Sequence, residues 1–205
     1  GLPMWKRAFD FVILLITAPV WLPLAVLVTA AIKIGAPGPL LFRQQRVGAR
    51  GSRFICFKFR TMSVDAEQQL RTLLASDPAV REEWEREFKL RNDPRVTRVG
   101  RFLRRTSLDE LPQLLNVIRG EMSLVGPRPA LFNQDDLIEM RTQHNVHTLL
   151  PGLSGWAQIN GRDEIPISEK VKLDVEYLQR QCFWFDVKIL WLTFLKELRR
   201  DGVSH

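Results

Sequence analysis

The chain has 205 residues, enough for one domain with a substantial hydrophobic core. Its 30 lysines and arginines against 23 aspartates and glutamates leave a net charge of +7, which favours an anionic partner: nucleic acid, an anionic membrane face or a phosphorylated substrate. The 2 cysteines, Cys56 and Cys182, form no CxxC and no metal-spaced pair, which argues against a cysteine-built zinc site and gives no support to a disulfide framework.

The first element is an uncharged stretch over residues 11–32, FVILLITAPVWLPLAVLVTAAI. About 20 apolar residues cross a bilayer as a helix, so a single spanning helix is one interpretation. Pro19 and Pro23 lie in the middle of this stretch. Each proline removes a backbone donor and clashes with the preceding turn, so two of them four residues apart favour a sharp break.

Basic residues flank this stretch on both sides. Lys6 and Arg7 precede it, and four more follow it: Lys33, Arg43, Arg46 and Arg50. Because basic residues favour the cytoplasmic side of a membrane, this pattern suits a segment that enters and leaves on one face. We predict a re-entrant helix–break–helix hairpin over residues 1–36 that breaks at Ala18 and Pro19. Asp10 would lie at headgroup level, and Thr17 would bond a carbonyl that the break frees.

Residues 37–205 are predicted to form a second, compact cytosolic domain, and the predicted fold class is α/β and mostly helical, with a small sheet and interfacial amphipathic helices. The segment RFICFKFRTM has the aromatic and β-branched content of a strand. Two basic residues, Lys58 and Arg60, lie at its end. They either contact phosphate or extend their charged groups from a buried strand to solvent. Residues 65–90 are charged and helix-forming, and Pro78 divides them into two predicted surface helices.

Two later loops also carry charged residues. In GPRP, residues 126–129, prolines hold Arg128 on both sides, which suits bidentate phosphate contact; an ordinary turn with a solvated arginine is the alternative. The segment PGLSGWAQINGRDE is a glycine-rich loop that ends near Arg162 and Asp163 and matches no P-loop or dinucleotide motif. The last predicted helix, residues 183–198, combines aromatic, leucine and basic residues, typical of an amphipathic membrane-interface helix or of core packing.

The stretch SLDELPQ, residues 107–113, places Asp109 and Glu110 side by side. Ser107 and Glu110 fit a capping box, but Pro112 would then fall where its missing N–H is needed. With Asp109 as N-cap, Pro112 takes a position whose N–H is free anyway, so we predict both carboxylates at a helix start. There an aspartate can cap the helix, ligate Mg2+ or attack phosphorus, and phosphates are drawn to the neighbouring arginines Arg101, Arg104, Arg105 and Arg128.

Together, TSLDELPQLLNVIRGEMSLVGPRP, FRQQRVG, FKFRTM, PGLSGWAQINGRDE and LDVEYLQ resemble the bacterial sugar transferase family, the monotopic phosphoglycosyl transferases. The resemblance runs from about residue 4 to the C-terminus, and the chain is similar to the small, catalytic-core members. It implies transfer of a sugar-1-phosphate from a UDP-sugar to polyprenyl phosphate, typically undecaprenyl phosphate, with release of UMP. It also implies a monotopic protein of the bacterial inner membrane, with its catalytic domain on the cytoplasmic face.

By the family pattern, Asp109 is the nucleophile that takes the phospho-sugar covalently and also contacts Mg2+. Glu110 is its dyad partner. The family often has Ser–Pro at the hairpin break, and Ala18 here lacks a hydroxyl that could satisfy a freed carbonyl. The predicted substrate contacts are Lys58, Arg60, Arg105, Arg128, Arg162, Asp163 and Asp174.

The expected partners are a UDP-sugar, polyprenyl phosphate and inner-membrane lipid. No RRM, helix-turn-helix or zinc pattern is present, so we predict no nucleic-acid partner. The segment GRDEIPISEKVKLDVEYLQRQ is closer to the small family members and favours a modified N-acetylhexosamine over a hexose. The sequence leaves the oligomeric state open and allows a homodimer.

Overall fold

A computed structural model describes residues 3–87, 89–161 and 165–200. In chain order the helices are α1 Met4–Gly35, α2 Ala66–Ser76, α3 Pro78–Glu87, α4 Arg98–Thr106, α5 Gln113–Ile118, α6 Asp135–Gln143, α7 Trp156–Ile159, α8 Ile167–Arg180 and α9 Phe183–Arg200. The strands are β1 Leu41–Val47, β2 Arg53–Phe59, β3 Ser123–Val125, β4 Ala130–Leu131 and β5 Gly152–Ser154. The prediction of a mostly helical α/β protein with a small sheet is confirmed.

The strands form two small sheets. One is antiparallel in the order β2-β1-β4, and the other pairs β3 with β5 in parallel. The predicted strand RFICFKFRTM is confirmed as β2, whose Phe54 and Cys56 point into the core because side chains two apart share a face. The prediction of two surface helices is also confirmed: α2 ends before Asp77, whose carboxylate accepts a hydrogen bond from the backbone N–H of Ala79 at the start of α3.

The N-terminal segment differs from the predicted hairpin. It is one continuous α-helix, α1, with Pro19 and Pro23 inside it, so no break at Ala18 and Pro19 is present. A proline has a φ angle that suits a helix and costs one backbone hydrogen bond, which a long apolar helix can tolerate. The Thr17 hydroxyl donates to the carbonyl of Ile13 rather than to that of Leu15, the carbonyl that Pro19 leaves without its helical donor. In the part of the chain that the structure describes, α1 is the helix long and apolar enough to cross a membrane.

Both ends of α1 pack on the rest of the protein, whereas its middle does not. Leu14 joins the main core with β2 and α9, and Val28 and Ile32 form a second core with Phe59 and Leu103. Between Leu14 and Val28 no side chain of α1 is buried, and several large apolar ones are exposed: Leu15, Ile16, Val20, Leu22, Val26 and Leu27.

The N-terminal end of α1 is held by buried charges. Lys6 Nζ donates to Asp186 Oδ2 at 2.6 Å and to the Tyr177 hydroxyl at 2.8 Å, and Tyr177 donates in turn to Asp186 Oδ1 at 2.7 Å. The prediction that Asp10 lies among lipid headgroups is wrong: Asp10 is fully buried and accepts a hydrogen bond from Ser123. A buried carboxylate needs such donors, and β3 supplies them.

The last helix, α9, has two different faces. Phe185 and Ile189 are buried in the main core, whereas Trp184, Trp191, Phe194 and Leu198 are exposed. The core packing that the sequence allowed is therefore confirmed for one face of α9, and the other face is exposed and apolar.

Candidate active site

The acidic pair lies on a tight turn between two helices. Residue Ser107 ends α4 in a left-handed conformation, with φ 59° and ψ 15°, and Leu108–Glu110 form a single 3-10 turn. We refer to residues 107–111 as the acidic turn. The predicted cap position is wrong: α5 begins at Gln113 with Pro112 as its N-cap, because 3-10 hydrogen bonds such as Leu111 N–H to the Leu108 carbonyl form first. The carboxylates therefore precede the helix by one turn.

The acidic turn forms part of the wall of a cavity of about 1140 Å3, which has room for a nucleotide sugar as well as a lipid phosphate. Basic residues dominate its charged lining: Arg46, Lys58, Arg60, Lys89, Arg104, Arg128, Arg141 and Lys170. Four carboxylates also line it: Glu67, Asp109, Glu110 and Glu197. The cavity thus combines a strong positive field with a few acidic groups, as a site for phosphates requires.

Asp109 is half-buried in this cavity. Burial, followed by the neighbouring charge of Glu110, raises the pKa of Asp109 from 3.8 to about 6, while Lys58 and Arg104 act in the opposite direction. Near neutral pH the carboxylate is therefore largely ionised, yet it is held in an environment that does not fully compensate its charge. Arg104 is fixed nearby, because its Nε donates to the Thr61 hydroxyl at 2.9 Å.

Glu110 lies between two cations. Lys58 Nζ and Arg128 NH1 each lie 3.8 Å from its Oε1. Burial lowers the pKa of Lys58, and the attraction of Glu110 opposes that shift. The acidic turn, the end of β2 and the GPRP loop thus meet at one carboxylate.

The structure brings five of the predicted site residues to the cavity: Lys58, Arg60, Asp109, Glu110 and Arg128. Arg60 also has a structural contact, since its guanidinium donates to the carbonyls of Ala36 and Pro39 and holds the connection between α1 and β1. Arg105 is exposed and is not part of the cavity lining; its guanidinium lies 5.8 Å from the ring centroid of Phe102. Arg162 and Asp163 lie outside the described residues.

Asp174 is a buried structural residue in this fold. It is 2% exposed, lies outside the cavity lining, and its Oδ2 accepts a hydrogen bond from Arg141 Nε at 3.0 Å. Arg141 NH1 also donates to the carbonyl of Arg128 at 2.7 Å. Asp174 on α8 thus holds Arg141 on α6, and Arg141 in turn holds the backbone of the GPRP loop. Helices α6 and α8 pack against each other.

Sequence reasoning missed two residues at the site. Arg141 on α6 lines the cavity and donates a hydrogen bond to the backbone of the GPRP loop. Glu197 on α9 also lines the cavity and contacts Ser107. Neither lies in a motif, and only the long-range contacts identify them. Arg104 was in the basic run before the acidic turn, and its proximity to Asp109 agrees with that pattern.

The carboxylates of the cavity suit Mg2+ only if a bound substrate supplies further oxygen ligands. Among residues 3–87, 89–161 and 165–200, no group of three or more His, Cys, Asp or Glu side chains is arranged to hold a metal ion. Mg2+ is commonly bound through one or two carboxylates, with substrate phosphates and water completing its six oxygens. Asp109, a carboxylate in the lining of the cavity, fits such a ligand.

Comparison with known proteins identifies the family of this chain. The profile of the bacterial sugar transferase family matches residues 2–200, and the chain belongs to that family. It is 44% identical to the undecaprenyl-phosphate galactose phosphotransferase of Salmonella typhimurium, over 96% of this chain and 41% of the relative. It is 41% identical to the UDP-glucose:undecaprenyl-phosphate glucose-1-phosphate transferase of Escherichia coli, over 93% of this chain and 39% of the relative.

A third relative is closer in length. The exopolysaccharide production protein ExoY of Sinorhizobium fredii is 40% identical, over 92% of this chain and 83% of the relative. The chain thus spans about two fifths of the Salmonella and Escherichia proteins and most of ExoY.

Proposed function

We propose that this protein transfers a sugar-1-phosphate from a UDP-sugar to undecaprenyl phosphate, releasing UMP and forming an undecaprenyl-diphospho-sugar. The observation that carries the proposal is the position of Asp109: a half-buried carboxylate on a fixed turn, in a cavity whose charged lining is mostly basic. Two of the relatives are named for this kind of transfer to undecaprenyl phosphate.

The reaction proceeds in two displacements at one phosphorus atom. An Asp109 carboxylate oxygen attacks the phosphorus that bears the sugar, the bond from that phosphorus to the bridging oxygen breaks, and UMP leaves with the electron pair. An oxygen of undecaprenyl phosphate then attacks the same phosphorus and displaces Asp109. The covalent intermediate lets a soluble donor and a lipid acceptor use the same site in turn.

The basic residues neutralise and orient the phosphates. Lys58 and Arg128, both within 3.8 Å of Glu110, are placed to hold phosphate oxygens beside the acidic turn, and Arg104 lies close enough to Asp109 to affect its pKa. Bound Mg2+, with Asp109 as its protein ligand, would supply charge neutralisation on the diphosphate. Glu110 holds the two cations in place, with Lys58 Nζ and Arg128 NH1 each 3.8 Å from its Oε1.

The sugar is proposed to be a hexose. The relatives from Salmonella and Escherichia are named for galactose and glucose, and the UDP-galactose-lipid carrier transferase of Erwinia amylovora is 41% identical. These names do not support the preference for a modified N-acetylhexosamine that the segment after Gly161 suggested. UDP-glucose and UDP-galactose are therefore the first donors to test.

The protein is proposed to sit in one leaflet of the bacterial inner membrane, with the cavity on the cytoplasmic face. Support comes from α1, whose two ends pack on the same folded body while its exposed middle is apolar. A helix that crossed to the far side could not return one end to the near side. The exposed aromatic residues of α9 add a second apolar contact with lipid.

The deciding experiment measures UMP release by the purified protein in detergent with undecaprenyl phosphate, Mg2+ and a panel of UDP-sugars. Lipid-dependent release that disappears in Asp109→Asn supports the proposal and identifies the sugar. UMP formed without a lipid product would instead indicate a hydrolase. Full activity in Asp109→Asn would reject Asp109 as the nucleophile, even if transfer itself were observed.

A further inference from the structure

The backbone of the acidic turn is held in an unusual conformation. Ser107 has φ 59° and ψ 15°, the left-handed region that residues other than glycine adopt infrequently. The hydrogen bonds that the turn makes with its own backbone are long: Ser107 N–H to the Arg104 carbonyl and Glu110 N–H to the Ser107 carbonyl both measure 3.3 Å. Strained positions of this kind persist where surrounding contacts enforce them.

One such contact comes from the far end of the chain. The Ser107 hydroxyl lies 3.2 Å from both carboxylate oxygens of Glu197, a residue 90 positions later on α9. Because one proton is shared between two acceptor oxygens, each distance is longer than the ~2.7 Å of a strong hydroxyl–carboxylate hydrogen bond, and a charged acceptor still makes the contact stronger than a neutral one would. The contact ties the residue two positions before Asp109 to a different element of the fold.

The helix that carries Glu197 is itself well anchored on this side. Lys196 Nζ donates to the carbonyls of Gln158 and Ile159 on α7, and Phe185 and Ile189 are buried in the main core. Glu197 is therefore presented from a rigid support. The opposite face of the same helix exposes Trp191, Phe194 and Leu198.

We propose that Glu197 is a positioning residue, whose carboxylate holds Ser107 in its left-handed conformation and thereby aims Asp109 into the cavity. The inference rests on the proposed function of Asp109. Glu197 acts through Ser107 and need not touch the reacting phosphorus. Its role is to reduce the number of orientations that the attacking carboxylate can adopt, which affects the rate of the chemical step more than the binding of the donor.

The test compares four variants and one control variant, all assayed for UMP release at saturating and at limiting donor concentrations. Glu197→Ala and Ser107→Ala are each expected to lower kcat by about 10- to 100-fold, the range for a hydrogen bond to a charged group, with little change in the donor KM. The double variant is expected to be no worse than either single one, because both remove the same contact. Glu197→Gln keeps an acceptor oxygen and is expected to retain most of the activity. Glu139→Ala, at an exposed position on α6, serves as the matched control.

A second measurement reads the turn directly and does not depend on activity. Hydrogen exchange of the amides in residues 104–115 is expected to become faster in Glu197→Ala and Ser107→Ala, but not in Glu197→Gln or Glu139→Ala, while the rest of the fold stays protected. If the wild type releases no UMP from any donor, the proposed function fails and exchange alone decides the positioning role.

Three results would overturn the inference. The first is wild-type kcat and exchange in Glu197→Ala. The second is a double variant whose loss is the product of the single losses, since the residues would then act separately. The third is a Glu197→Gln variant as impaired as Glu197→Ala beside an active Ser107→Ala, since Glu197 would then act through its charge on something other than Ser107.

Discussion

Lys58 and Glu110 form an ion pair inside the cavity, with 3.8 Å between Lys58 Nζ and Glu110 Oε1. The two side chains are 18% and 25% exposed, so water screens them less than it screens a surface pair. Burial lowers the pKa of Lys58, and the attraction of the Glu110 carboxylate opposes that effect. A partly desolvated cation attracts phosphate more strongly than a cation in bulk water.

Replacing Lys58 with methionine tests this role. Lys58→Met keeps most of the volume and removes the charge, so we expect the donor KM to rise by about 10- to 100-fold, the equivalent of one hydrogen bond to a charged group. Steady-state UMP release against donor concentration measures it. The control is Lys172→Met, at an exposed position on α8. An unchanged KM would show that Lys58 only neutralises Glu110.

Asp174 is expected to matter for stability rather than for substrate binding. Removing one member of a buried ion pair leaves the other charge uncompensated, so Asp174→Ala should lower the free energy of unfolding by about 3–5 kcal/mol, with a smaller loss in Asp174→Asn. Chemical denaturation in detergent measures this, with Glu85→Ala on exposed α3 as the control. If Asp174→Ala raised the donor KM and left the stability unchanged, Asp174 would be a substrate contact, as the sequence suggested.

The buried network at the start of α1 should anchor that helix. Tyr177→Phe removes the hydroxyl that Lys6 and Asp186 share, and we expect a loss of about 1–3 kcal/mol in the free energy of unfolding. Lys6→Met should cost about 3–5 kcal/mol, because Asp186 then stays buried without its cation. Thermal unfolding in detergent compares them. The double variant should lose less than the sum, and additive losses would contradict a shared network.

The turn before α4 should make stability depend on pH. Burial would raise the pKa of Asp93, but hydrogen bonds from the Arg95 side chain and backbone outweigh burial and hold it below its ordinary value of 3.8. A carboxyl with a lowered folded-state pKa contributes stability above its unfolded pKa and loses it as the pH falls through the folded pKa. The difference in Tm between wild type and Asp93→Asn should therefore be largest near neutral pH and shrink at acidic pH. A difference that stays constant with pH would exclude this charge effect.

Local patterns identified several residues that the structure brings to one cavity. Aromatic and β-branched residues identified β2 and its basic tip, the paired prolines of GPRP singled out Arg128, and SLDELPQ singled out the two carboxylates, although it placed them at the helix start and not one turn before it. Each of these signals lies within a few residues of the feature it predicts. Backbone propensities and turn chemistry act over that distance, so the sequence carries them directly.

The same local reasoning was wrong where tertiary contacts compete with propensity. Pro19 and Pro23 favour a break, yet α1 runs through both, and its ends are held by contacts with distant residues. Asp10 was expected at headgroup level because it lies at the start of the predicted hairpin, yet it is fully buried and accepts a hydrogen bond from Ser123 of β3.

The sequence by itself thus determined strand β2, the surface helices α2 and α3, the last helix α9, the acidic pair and the nearby basic run, because these follow from neighbours along the chain. Only the tertiary structure decided which charges act together. Ser107 meets Glu197 across 90 residues, Arg141 meets Asp174 across 33, and Lys6 meets Asp186 across 180. No periodicity encodes such pairs, since the partners are far apart along the chain and become neighbours only when the fold packs their elements together.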